Sequence, residues 1–385
     1  MKTLELVFFD AGGGHRSAAN ALCEVVKRQE RPWEMNMMNL QELLDEMDVF
    51  RKLTGVRMQD IYNQLLRRGW TIGSPALMKG MHGVIWALHT KQVKLLVDYW
   101  RNKQPDMVVS VIPNFNRAIF QAMRRVMPEV PLVTILTDMA DYPPHFWIER
   151  QPQYLICGTE RAYNQAMQLG HAPERLFRTS GMILNPRYYE PIAVDRGPDR
   201  AALGLDPELP TALMMFGGEG SASMLHIARQ LDASGLGVQI IAICGKSKRL
   251  EAAMRAMNGR IRMHVEGFTR EVPRFMRLAD FFIGKPGPGS ISEAVAMGLP
   301  VIIERNHWTL PQERYNADWV EEQGVGISLR SFKRQVTDAV GKMIDPERRC
   351  EFINRVSQQR NRAVFEIPDI LEQILVRPAR DSLGK

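Results

Sequence analysis

The stretch Phe281–Pro300 limits the possible folds more sharply than any other part of the chain. A short apolar run, Phe281-Phe282-Ile283, has the bulk of a buried strand end and stops at Gly284. A rigid loop of glycine and proline follows, and Ser290 is placed to N-cap a helix through Ala294 and Ala296 to Gly298. A strand that runs through a glycine loop into a helix presents unpaired backbone N–H groups and the positive end of the helix dipole. A phosphate binds readily there. Glu293, one turn into the helix, would direct a carboxylate towards the same ligand, where a ribose diol is a natural partner. An ordinary β–loop–α junction has the same pattern, so this element alone leaves both readings open.

The junction recurs along the chain. Leu4–Phe9 reads as a first strand that ends in Asp10-Ala11-Gly12-Gly13-Gly14-His15, followed by an amphipathic helix over Ala18–Gln29. His15 is then either a helix-capping histidine or a ligand residue at the carboxyl end of a strand, where open α/β sheets bind their substrates. Pro105–Pro113, Pro131–Thr137 and Gln153–Cys157 are further buried-strand patterns, and Asp138 and His145 fall in the loop after the second of these. Residues 187–210 are rich in proline and glycine. Beyond them a second series begins: Thr211–Phe216 into Gly217-Gly218-Glu219-Gly220-Ser221, Val238–Cys244 into Gly245-Lys246, and Arg262–Val265 into Glu266-Gly267-Phe268. Phe281–Pro300 comes next, then Val301–Ile303 and a helix entered through Gln312, Glu313 and Asn316. Strand and helix in steady alternation predict two doubly wound parallel sheets. The expected organisation is a first domain over 1–190, a linker over 191–210, a second domain over 211–350, and a helical tail over 351–385 that crosses back to the first.

Composition matters in two places. The four cysteines, Cys23, Cys157, Cys244 and Cys350, are scattered without metal-binding or C-x-x-C spacing. No apolar run reaches the roughly 18–20 residues of a membrane span, and the start of the chain reads as a strand rather than a signal peptide. These features predict a cytoplasmic protein. The net charge of +7 is concentrated between Arg51 and Lys103, where ten basic residues face only Asp60 and Asp98. This segment, about 50–103, is helical in pattern and interleaves its cations with Trp70, Met78, Met81, Trp86, Leu88, Tyr99 and Trp100. A membrane-facing surface for anionic lipid fits that mixture, as does a helical insertion with a solvated charged face. Nucleic acid is the remote alternative, since no recognised nucleic-acid module appears and the glycine loops would go unexplained; no nucleic-acid partner is expected.

Taken together, the loops of the second half resemble the nucleotide-sugar half of the GT-B glycosyltransferases. The likeness is strongest to the branch holding MurG, the monogalactosyldiacylglycerol synthases and bacterial diacylglycerol glucosyltransferases. It rests on Gly12-Gly13-Gly14-His15-Arg16-Ser17-Ala18-Ala19, on Lys285-Pro286-Gly287-Pro288-Gly289-Ser290-Ile291-Ser292-Glu293-Ala294, and on Thr137-Asp138 with His145 and Trp147. Gln312-Glu313 with Asn316 adds the Gln-x-x-x-Asn signature found beside the donor sugar.

The resemblance implies an α/β protein of GT-B fold, two Rossmann-like domains facing each other across a cleft. In that family Glu293 would hold the ribose of UDP. Gly217, Gly218, Gly289 and Ser290 would admit the diphosphate, and Phe268 would face uracil. Gln312 and Glu313 would bind sugar hydroxyls, with Asn316 supporting their loop, and Gly14, Gly245, Gly287 and Ile291 would complete the nucleotide-sugar set. His15 and Asp138 would lie on the acceptor side, one of them the base, with His145 and Trp147 nearby. A histidine titrates near neutrality, which favours His15. If His15 instead holds the diphosphate or sugar, Asp138 takes the proton. The implied reaction is an inverting transfer of a hexose from a UDP-sugar to a lipid, diacylglycerol first, by an enzyme peripheral on the inner face of the cell membrane. A polyprenyl-linked or soluble acceptor is the alternative. No cofactor or metal is expected, in keeping with the lack of an Asp-x-Asp motif. The sugar stays open among glucose, galactose, glucuronic acid and N-acetylglucosamine.

Overall fold

A computed structural model describes residues 1–10, 13–44, 87–307 and 309–377. Most of the basic segment expected to face a membrane lies outside the described residues. The first domain is a six-stranded sheet of β1 (Lys2–Phe8), β2 (Trp33–Asn39), β3 (Met107–Ser110), β4 (Leu132–Ile135), β5 (Tyr154–Cys157) and β6 (Leu176–Arg178), in the order β2-β1-β3-β4-β5-β6. The second has β7 (Thr211–Met215), β8 (Gln239–Ile243), β9 (Met263–Glu266), β10 (Phe281–Gly284), β11 (Val301–Glu304) and β12 (Gly326–Leu329), in the order β12-β11-β10-β7-β8-β9. Every pairing in both sheets is parallel. The central strands β3, β4, β5, β7, β8 and β10 are buried along their whole length, as parallel strands covered by helices on both faces must be.

The part of the basic segment that is described behaves differently from its expected role. In the helix His89–Trp100, the Trp100 indole is fully buried and its Nε1 donates to Glu5 at 2.7 Å, while the Tyr99 hydroxyl donates to the same carboxylate at 2.5 Å. Tyr99 and Trp100 therefore face the core. A carboxylate buried on β1 needs donors, and these two residues supply them.

Residues 191–210 are also more than a tether. They contain the helix Arg196–Ala202, whose buried Arg200 donates to the Leu278 carbonyl at 2.8 Å and to Asp280 at 2.7 Å. Asp280 in turn accepts the Thr211 N–H, so this cluster pins the starts of β7 and β10.

The chain then returns to its first domain. The helix Ala363–Leu375, with Pro368 inside it, buries Ile367, Ile370, Leu371 and Ile374 among Leu4, Leu6, Val109, Val133 and Ile156 of the first sheet. Arg31 fastens it from outside through Asp369 and Glu372. Among the described residues no helix is long and apolar enough to cross a membrane. Because Leu371 is fully buried in the first domain's core, Leu371→Ala should lower stability by about 3 kcal/mol. Urea unfolding followed by a probe in the first domain checks this.

Candidate functional site

Both sheets send the carboxyl ends of their strands, and the helix N-termini that follow, into one cleft. On the second domain, β10 leads into the helix Pro288–Ala296. Its N-cap is Gly287, not Ser290: Pro288 takes the first helical position, and the Ser290 hydroxyl donates back to the Gly287 carbonyl at 3.2 Å. Proline fixes the entry angle, so no side-chain cap is required. The Ile291 N–H bonds the Gly287 carbonyl, and among the described residues the Gly289 and Ser290 N–H groups of the first turn have no backbone partner. Ile291 itself is fully buried in the core and contributes packing rather than ligand contact.

The glycine loops meet beside this helix. Gly245 has φ +61°, and a Cβ there would lie 2.4 Å from the Gly218 carbonyl oxygen. The Lys246 N–H donates to that same oxygen at 2.8 Å. Gly217, at φ +79°, packs against the Lys285 side chain. At the rim, Phe268 is 61% exposed with the Lys246 ammonium 5.7 Å from its ring centre, a flat face free to stack on a base.

Deeper in the cleft lies Glu293. Burial raises its pKa to about 7, against the opposing effects of a hydrogen bond from the Tyr188 hydroxyl and the charge of Arg187. The signature Gln312, Glu313 and Asn316 lines the adjoining corner. Asn316 is fully buried and donates to the Pro286 carbonyl at 2.7 Å, so it holds the Gly/Pro loop in place. Glu313 pairs with Lys285 at 3.3 Å. The Gln312 Oε1 is buried with no hydrogen-bond partner among the described residues.

The first domain presents His15 and Asp138 to this surface. His15 enters the helix Gly14–Arg28 behind Gly13, whose φ of +80° makes the turn. Its Nδ1 lies 3.2 Å from the Thr137 hydroxyl. Burial lowers the His15 pKa to about 4, with a hydrogen bond to the Val111 backbone pulling the other way. Asp138 shifts in the opposite direction. Burial raises its pKa to about 7; the Trp147 indole and the Lys285 charge oppose this, while Glu313 and Asp141 add to it. Met139, next to Asp138, packs in one core cluster with Ile291 and Val295 of the second domain, so this loop lies against the other half-site.

Trp147 is fully buried, with its Nε1 2.8 Å from Asp138 and its ring centre 6.0 Å from that of His15. It orients both residues and presents no surface of its own. His145 is turned into its loop: its Nδ1 is 3.2 Å from the Ile148 carbonyl, and its N–H goes to Asp141. Asp141 also accepts the Trp147 N–H at 2.6 Å, and so braces the whole loop.

Sequence reasoning did not assign Lys285, Asp141 or Tyr188 to the site. Lys285 was visible in its motif, and Asp141 stands three residues after Asp138. Tyr188 carries no local signal, because its partner is remote in sequence. A buried carboxylate with a raised pKa is carried at a cost once it ionises. The cost appears above the ordinary aspartate pKa and is complete above pH 7. Asp138→Asn keeps an acceptor for Trp147 and should stabilise the protein by about 2 kcal/mol at pH 8, with the gain vanishing towards pH 4. Thermal melts across that range test it.

Comparison with known proteins agrees with this geometry. Residues 213–374 match the glycosyltransferase family 28 C-terminal domain. A probable chloroplastic monogalactosyldiacylglycerol synthase 2 of Oryza sativa subsp. japonica is 26% identical over 405 residues, covering 98% of this chain and 82% of the relative. Among solved structures, Acinetobacter baumannii MurG superposes with a TM-score of 0.63 at 12% identity over 97% of this chain and all (100%) of that one. The S. aureus MnaA–UDP structure gives 0.60 at 16% identity over 98% of this chain and 99% of that one. Fold, C-terminal domain and full-length likeness converge: the chain is a UDP-sugar glycosyltransferase of GT-B fold whose second half carries a glycosyltransferase family 28 C-terminal domain, and it is similar to the monogalactosyldiacylglycerol synthases over its full length.

Proposed function

We propose that this enzyme transfers a hexose from a UDP-sugar to the free hydroxyl of diacylglycerol, with inversion at the anomeric carbon. The observation that carries the reading is the meeting of the two domains at the site: Met139, next to Asp138, packs in one core cluster with Ile291 and Val295 of the helix that follows the Lys285 loop. Uracil stacks on Phe268, and Glu293 accepts from the ribose hydroxyls. The diphosphate lies against Gly217, Gly218 and the Gly289 and Ser290 N–H groups. Gln312 and Glu313 hold the sugar. In one displacement the acceptor oxygen bonds to the anomeric carbon as the bond to the β-phosphate oxygen breaks. The acceptor proton passes to the base, and UDP departs with its new charge facing the helix N-terminus and Lys285. The reading needs no metal, because the positive end of the helix and Lys285 offer the neutralising charge.

The environments of the two candidate bases favour Asp138. A carboxylate with a pKa of about 7 is a stronger proton acceptor at neutral pH than an imidazole held at about 4. His15 then stays neutral and offers a hydrogen bond to the donor from across the cleft. Diacylglycerol is favoured by the full-length likeness to proteins named monogalactosyldiacylglycerol synthase, and by the +8 segment in the first domain, which suits anionic headgroups at a membrane surface.

UDP release should require vesicles that contain diacylglycerol, and binding to anionic vesicles should weaken with salt. Release that is indifferent to diacylglycerol, but dependent on a polyprenyl-linked or soluble acceptor, would move the enzyme to the alternative class. With Asp138 as base, kcat/KM rises through an acidic limb near pH 7, and Asp138→Asn loses on the order of 1,000-fold in turnover. A limb near pH 4, with turnover kept in Asp138→Asn and lost in His15→Ala, would transfer the role to His15.

A further inference from the structure

We propose that Asp141 is a positioning residue for the reaction: its carboxylate aims the Trp147 indole, and the indole in turn aims the Asp138 carboxylate. The inference rests on the reading of Asp138 as the base. The loop over residues 137–148 carries all three side chains. Asp141 is buried inside it. One carboxylate oxygen accepts the Trp147 N–H at 2.6 Å and the Ile148 N–H at 3.4 Å, and the other accepts the His145 N–H at 2.9 Å. The loop has no strand beside it to satisfy these buried N–H groups, so the carboxylate serves as their partner. His145 takes φ +63°, a left-handed conformation that a residue with a side chain keeps only where its surroundings impose it. The bond from its N–H to Asp141 supplies that constraint.

The direction of the indole follows from these bonds. Trp147 has its N–H fixed by Asp141 and its carbonyl held from the other side by Asn116 Nδ2 at 3.3 Å. Its fully buried ring then places Nε1 2.8 Å from Asp138 Oδ2. Among the described residues no second hydrogen-bond donor reaches the Asp138 carboxylate, so the aim of its free oxygen depends on where the indole stands. The charged groups that act on Asp138 are Asp141 on its own loop and Lys285 and Glu313 of the second domain. His15 stands beyond Trp147, with 6.0 Å between the two ring centres.

A second anchor comes from outside the loop. Gln165, on the helix Glu160–Gln168, pairs with both peptide groups of Asp141: its Oε1 accepts the Asp141 N–H at 2.9 Å, and its Nε2 donates to the Asp141 carbonyl at 2.9 Å. Thr159, the N-cap of the same helix, donates its hydroxyl to the Met139 carbonyl. The helix thus fixes the backbone from which the Asp141 carboxylate projects, and the carboxylate fixes Trp147. Two substitutions separate these steps. An asparagine at 141 has one oxygen and one NH2, so it cannot accept from both sides of Phe146. Gln165→Ala leaves the carboxylate intact and frees only the peptide that carries it.

The test reads Trp147 directly, by NMR of the full-length chain with isotope-labelled tryptophan. The indole N–H signal missing from Trp147→Phe belongs to Trp147. It should titrate with a midpoint near pH 7 as Asp138 ionises, and lose that titration in Asp138→Asn. In Asp141→Asn and in Gln165→Ala the signal should move and its titration should shrink. Turnover with UDP-galactose or UDP-glucose and diacylglycerol vesicles should fall about tenfold in Asp141→Asn, with the KM for the UDP-sugar kept within about twofold. Because Asp141 acts through Trp147, adding Asp141→Asn to Trp147→Phe should cost less than about twofold more. If Asp141→Asn does not fold, Gln165→Ala carries the same two readings. An unmoved Trp147 signal, or losses in turnover that multiply in the double variant, would make Asp141 a brace for the fold alone and overturn the proposal. Full turnover in Asp138→Asn would overturn the base reading itself, and this inference with it.

Discussion

Parallel pairing throughout both sheets is the constraint on which the rest depends. When every strand runs the same way, every carboxyl end emerges on one rim, and every following helix turns its positive end to that rim. The sheet orders then choose the positions. In the first sheet the chain winds outward from β1 and β3 in opposite directions, and the Gly13–His15 turn follows β1. In the second, the reversal falls between β7 and β10, whose loops carry Gly217 and Lys285. Chemistry gathers at these two reversals because the diverging helices leave a crevice there that no side chain of the sheet fills.

What fills the crevice from the protein side is a pair of carboxylates, the buried Asp138 from one domain and the half-buried Glu293 from the other. Each has its pKa raised by burial, and Asp138 is met by a donor on the buried ring of Trp147. The common design implies a shared logic: stability is given up at both residues to keep an oriented, weakly solvated acceptor. In the proposed reaction the two acceptors would differ only in what approaches them, a reacting hydroxyl in one case and a ribose in the other.

How much of this could be read beforehand followed from burial. Interior strands such as Met107–Ser110 and Thr211–Met215 appear in the sequence as continuous apolar runs. Three of the four edge strands do not. β2, with Glu34, Asn36 and Asn39, and β12, only partly buried along its length, lack such a run, and β6 is only three residues long. All three escape a reading of periodicity. The glycine loops and their order were legible because they are local. The contacts that tune the site required the fold: Trp147 on Asp138 closes one loop on itself, and Asn316 on Pro286 joins two. Ser290 shows the converse error: a good N-cap by type, it was displaced because Pro288 starts the helix earlier. Tyr99 and Trp100 show another, since amphipathic aromatics suit a membrane surface and a buried carboxylate equally well.

The returning helix Ala363–Leu375 makes the first domain discontinuous along the chain. Its core is complete only when Ile367, Ile370, Leu371 and Ile374, made after the whole second sheet, reach β1, β3, β4 and β5, made before it. During synthesis the first sheet therefore waits with an uncovered apolar face while the nucleotide domain, whose sheet lies within Thr211–Leu329, emerges and folds as a unit. The half that binds the donor is finished before the half that receives the sugar, and closing the second locks the two together.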